Sequence, residues 1–159
     1  MSISVRVAGG EEITLDEDVA RQIKLVEELM DDADGEALPI DRVSKWSFEK
    51  AQEYVALVKA NGKPEIEGPL YSDDLTVLLG AEWMGFLNME KEQIFELALA
   101  AEYLKMEDMH TLVCTKVASL LYGKDVEQVR GVFGIADHGI DADLQQEIDE
   151  SIKHGVEYC

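Results

Sequence analysis

The chain has 159 residues and 17.7 kDa, enough for one compact domain with an appendage. Hydrophobic residues make up 47% of it, which excludes a disordered chain despite 30% charged residues. A net charge of -20, from 34 acidic against 14 basic residues, argues against binding nucleic acid or an anionic membrane surface and favours basic protein partners.

Ile3, Val5 and Val7 alternate with Ser4 and Arg6, the pattern of a half-buried strand. Gly9-Gly10 supplies the positive φ angles of a hairpin, and Ile13 and Leu15 form the return strand. From Asp18 the period changes. Val19, Ile23, Val26 and Met30 predict one helical face, ended by the acidic run 31–36. Leu38-Pro39-Ile40 reads as a short edge strand, because proline cannot donate to a sheet ladder. Phe48, Ala51, Val55 and Val58 predict a second helix, with Ser44 or Ser47 as its cap and Asn61-Gly62 as its stop.

Residues 61–74 hold Gly62, Pro64, Gly68 and Pro69 and read as the main loop. From Leu75 onward the pattern is helical. Leu97, Ala100, Ala101 and Leu104 predict a helix apolar on most sides, hence buried. Met109, Leu112, Val113, Val117, Leu120 and Leu121 follow at helical spacing. Asp125 is the expected cap of a short helix bearing Val126, Val129, Val132 and Phe133. A turn is expected over 134–139, and Asp141 is the expected cap of a last helix with Leu144, Ile148 and Ile152 on one stripe. A sheet from the first 40 residues followed by helices is α+β.

Catalytic and metal-binding patterns do not stand out. Gly9-Gly10 lacks the further glycines of a dinucleotide site, and Gly123-Lys124 is not a phosphate loop. His110, His138 and His154 read as lacking i, i+4 partners, and neither CxxC nor HExxH occurs. Asp137, Asp141 and Asp143 fail the calcium-loop spacing, since Gln146 and Ile152 stand where Gly and Glu are needed. Cys114 reads as a small core residue with no histidine close in sequence to activate it. No cofactor or metal is expected. The two cysteines form no disulfide framework, and MSISVRVAGG has no secretory core, so cytoplasm and nucleus are the expected compartments.

Apolar residues are dense where helices are short. Val126, Val129, Val132, Phe133, Ile135, Ile140, Leu144, Ile148, Ile152, Val156 and Tyr158 follow Gly123. They either fold back on the core or form an interface completed by another chain.

The run Trp83 to Leu104, WMGFLNMEKEQIFELALAAEYL, resembles the central signature of the S-phase kinase-associated adaptor family. Phe86-Leu87 matches its aromatic-hydrophobic pair, and Phe95-Glu96-Leu97, Leu99-Ala100-Ala101 and Tyr103-Leu104 match its LFELILAANYL helix. Cys114, Lys116, Val117 and Ala118 resemble its CKTVA stretch. Gly123-Lys124, Val129-Arg130 and Phe133-Gly134-Ile135 resemble its GKTPEEIRKTFNI stretch.

The resemblance implies a BTB/POZ fold over 1–115 and a C-terminal helical extension over 116–159. It implies a non-enzymatic adaptor joining F-box proteins to the N-terminal domain of a cullin in an SCF-type ubiquitin ligase. Glu102 and Tyr103 would face the cullin. Val126, Val129, Arg130, Val132, Phe133, Ile135, Leu144, Ile148 and Ile152 would face the F-box. The sequence departs from the family at Glu102, where an Asn is usual, and around Val156 and Tyr158, where a Trp is usual. The acidic insert between the second and third helices is shortened. The proline hydroxylated in some protist members is absent near 141–143. The alternative is an elongin-C-like or homodimeric BTB/POZ scaffold, but elongin C ends near the buried helix and this chain runs 55 residues past Leu104. A second copy of the chain, covering the same apolar face, is the alternative partner of the free chain.

Overall fold

A computed structural model describes residues 2–31, 35–136 and 142–156, with the side chains of 142, 144 and 154–156 outside that set. The expected turn over 137–139, the Asp141 cap and the side chains of Leu144, Val156 and Tyr158 therefore lie outside the described residues.

Alternation in the first strand, β1 (Ser2–Val7), buries Val5 and Val7 while Ser4 and Arg6 face outward. Gly9 and Gly10, at φ 90° and 83°, turn the chain into β2 (Glu12–Asp16), which pairs antiparallel with Ile3 opposite Leu15 and Val5 opposite Ile13. The third strand, β3 (Leu38–Ile40), runs parallel to β1, with Val5 opposite Leu38 and Val7 opposite Ile40. The order is β2-β1-β3, so Pro39 lies on an edge strand.

The helix expected from Asp18 to Met30 is two helices, α1 (Glu17–Ala20) and α2 (Lys24–Met30). Ile23 between them is extended at φ -99° and ψ 99°, and Leu25 N donates to the Leu104 carbonyl at 3.1 Å. A backbone bond to a distant helix end replaces a bond within the helix, while Ile23 and Val26 stay buried.

Ser44 caps α3 (Lys45–Asn61), its hydroxyl accepting from Ser47 N at 3.2 Å, and Gly62 closes it at φ 84°. Asp74 caps α4 (Leu75–Leu79) through Thr76 N at 2.9 Å. A 3₁₀ turn (Ala81–Trp83) and α5 (Met84–Leu87) lead to α6 (Lys91–Tyr103) and α7 (Glu107–Leu121). Phe48, Phe86, Leu97, Leu104, Met109 and Leu112 form the centre of the core. Tyr54 lies against Trp83 at 5.8 Å between ring centroids, and Trp83 meets Phe86 edge-on at 6.5 Å. The outcome is the expected α+β fold.

The chain divides into two compact units, Met1–Tyr122 and Gly123–Cys159. Residues 115 and 116, the boundary expected from sequence, lie inside α7. The second unit holds α8 (Val126–Phe133) and α9 (Ala142–Val156). Asp125 Oδ1 accepts from Gln128 N at 2.9 Å, and Gln128 Oε1 accepts from Asp125 N at 3.0 Å, a reciprocal cap. Gly134 ends α8 at φ 67°, with Ile135 N donating to the Arg130 carbonyl at 2.9 Å. No helix among the described residues is long and apolar enough to cross a membrane.

Candidate protein-interaction surfaces

The buried side of α6 carries Ile94, Leu97, Ala100 and Ala101, as the apolar pattern predicts. Its outer side departs from the expectation of a wholly buried helix, for Leu99 is 68% exposed. Glu102 is exposed and Tyr103 half-buried, so Leu99 and Tyr103, one turn apart, share an accessible stripe. Arg42, exposed just beyond β3, sets its guanidinium carbon 5.9 Å from the centroid of the Tyr103 ring. Sequence pattern missed both Leu99 and Arg42. Leu99 was legible only as part of an apolar run, and Arg42 is brought to Tyr103 by the tertiary fold.

Burial, and secondarily the Glu102 charge, push the Cys114 thiol above its ordinary range. His110 is nearby after all, with Nε2 at 3.6 Å from Cys114 Sγ. The two stand four residues apart on α7, and that i, i+4 spacing places them on one face. The expectation of a cysteine without a histidine beside it is therefore corrected. The raised thiol is poorly suited to nucleophilic work, which needs the thiolate. Among the described residues no group of three or more His, Cys, Asp or Glu side chains is arranged to hold a metal ion.

The second set of expected contacts lies on α8 and α9. Val126, Val129, Arg130 and Phe133 follow at i, i+3, i+4 and i+7, one stripe of α8. Val126 is 68% exposed, Val129, Arg130, Val132 and Phe133 are half-buried, and Ile135 after the helix is 58% exposed. On α9, Ile148 and Ile152 are both exposed and share a face. No described side chain of 123–153 is buried. The α6 residues belong to the first unit and the α8–α9 residues to the second.

The Skp1 family, dimerisation domain, matches residues 107–155 of this chain, which covers α7, α8 and nearly all of α9. A relative from Tetrahymena thermophila, named S-phase kinase-associated protein 1 homolog, is 36% identical over 125 residues, covering 77% of this chain and 75% of its own. A fungal relative from Aspergillus terreus, named E3 ubiquitin ligase complex SCF subunit sconC, is 30% identical over 129 residues, with 79% of each chain covered. The protein of that name from Arthroderma otae is 29% identical over 140 residues, covering 84% of this chain and 82% of its own.

Proposed function

This chain belongs to the Skp1 family, and on that premise we propose that it is a non-catalytic adaptor of an SCF-type ubiquitin ligase, joining F-box substrate receptors to a cullin. Its α+β fold is the BTB/POZ-like fold of the family. The observation that carries the reading is the second unit, where Val126, Ile135, Ile148 and Ile152 are exposed and no described side chain of 123–153 is buried. Short helices of this kind gain stability by packing an apolar face, and an exposed one marks a surface that another chain completes. Val126, Val129, Arg130, Val132, Phe133, Ile135, Leu144, Ile148 and Ile152 are the proposed F-box contacts. Leu99, Glu102 and Tyr103 are the proposed cullin contacts. The adaptor acts by holding two partners, so it needs no cofactor and no catalytic side chain.

The family model's description as a dimerisation domain favours one further occupant of the α8–α9 face when no F-box is present, a second copy of the chain. Cytoplasm and nucleus are the compartments implied by this reading, and a tagged chain confined to a secretory compartment contradicts it.

Truncation after Tyr122 tests the proposal. The first unit keeps the sheet, α3, α6 and α7, so circular dichroism should show a folded protein that binds a cullin N-terminal domain and no F-box peptide. Undiminished F-box binding by the truncated chain contradicts the assignment of the second unit.

A further inference from the structure

Arg42 is placed to do more than cover a ring. The chain carries 34 acidic residues against 14 basic ones, and its other first-unit arginines are taken by glutamates, Arg6 by Glu12 at 3.3 Å and Arg21 by Glu17 at 2.7 Å. Arg42 makes no ion pair among the described residues, and its contact there is with the Tyr103 ring. With its guanidinium carbon 5.9 Å from the Tyr103 centroid and no carboxylate beside it, Arg42 keeps its N–H groups for a carboxylate, which a guanidinium can grip with two parallel hydrogen bonds. The attraction to the ring favours one placement of the group before a partner arrives.

The surroundings fit that use. Leu99 lies exposed one turn before Tyr103 on α6, so an apolar contact and a held cation share one patch. Glu102, exposed beside Tyr103, repels a carboxylate that approaches from its own side. An acidic group on the partner is therefore favoured beside Arg42 and disfavoured beside Glu102.

We infer that Arg42 is a partner-specifying residue, reading an Asp or Glu of the cullin N-terminal domain that docks beside Leu99 and Tyr103. The inference rests on the proposed cullin-facing role of α6. It adds a residue outside that helix and names the chemistry of the group recognised.

The test is calorimetric titration of the full chain with a cullin N-terminal domain, at low and high salt. The variants are Arg42→Ala, Arg42→Lys and the pair Glu102→Lys with Tyr103→Lys. Arg42→Ala should weaken cullin binding about tenfold and flatten its salt dependence, because a desolvated charge contact is lost. F-box peptide affinity should not change. Arg42→Lys should recover only part of the loss, since an ammonium is a point charge without the fork. Arg42 is exposed, so thermal melting of the variants should match the parent. If Arg42→Ala binds cullin as the parent does while the paired variant does not, the Arg42 inference falls and the adaptor reading stands. Full recovery by Arg42→Lys likewise overturns the forked contact. If the parent chain binds no cullin, both fall together.

Discussion

Ser47 Oγ, on the first turn of α3, donates to Glu96 Oε1 of α6 at 2.9 Å, and Ser44 Oγ donates to the same oxygen at 2.5 Å. Ser47 is fully buried, so this carboxylate satisfies a hydroxyl that water does not reach. One side chain thereby fastens the capped start of α3 to the helix that carries the proposed cullin contacts. Glu96→Ala removes the acceptor of the Ser47 hydroxyl, which keeps only Ser44 Oγ at 3.2 Å, and should cost about 1–3 kcal/mol in urea unfolding. Ser44→Ala should cost about 1 kcal/mol, chiefly through the lost cap.

Two leucines on α6 separate folding from binding. Leu97 is fully buried, and Leu97→Ala should destabilise the chain by about 2–5 kcal/mol. Leu99 is 68% exposed, and Leu99→Ala should change stability by no more than about 0.5 kcal/mol. If α6 faces a partner, Leu99→Ala nonetheless weakens cullin binding. Denaturant melts and a binding titration on both variants decide this, and a large loss of stability in Leu99→Ala contradicts the exposed placement.

The Cys114 thiol gives a pH readout. Burial, and then Glu102, hold its proton more tightly in the folded chain than in the unfolded one. Its contribution to stability is therefore present below the unfolded thiol range and fades as pH rises through the raised folded value. Iodoacetamide should modify Cys114 slowly at pH 8 in the folded chain and quickly in urea. Glu102→Gln should speed the folded reaction modestly, since it removes the smaller cause. A slower reaction in that variant contradicts the assigned electrostatics.

Local chemistry was legible in the sequence wherever it is complete within one segment. The Gly9-Gly10 hairpin, the Ser44 and Asp125 caps and the apolar side of α6 each follow from neighbouring residues. The break at 21–23 was not legible, because Val19, Ile23, Val26 and Met30 keep a helical period across it. The bond from Leu25 N to the Leu104 carbonyl that accompanies the break joins distant parts of the chain. Leu99 was hidden by composition, since an apolar run does not say which leucine faces out. The His110–Cys114 pair is legible from its spacing of four, although that spacing matches no metal motif. Arg42 over Tyr103 depends on the segment after β3 meeting α6, and no local pattern encodes that.

Hydrogen exchange should distinguish the two units. Amides in α6 and α7, which carry the buried Leu97, Ala101, Met109 and Leu112, should exchange slowly. Those of α8 and α9 in the free chain should exchange faster and slow on addition of an F-box peptide, as the apolar faces become covered. Slow exchange across α8 and α9 in a free monomer means that these helices are stable without a partner.

Sedimentation of the purified full chain with an F-box peptide and a cullin N-terminal domain tests the adaptor claim most directly. The account predicts a single complex holding one copy of each, with Phe133→Ala losing the F-box peptide alone and the paired Glu102→Lys, Tyr103→Lys variant losing the cullin alone. Mutually exclusive binding of the two partners, or loss of both in either variant while the chain stays folded, contradicts it.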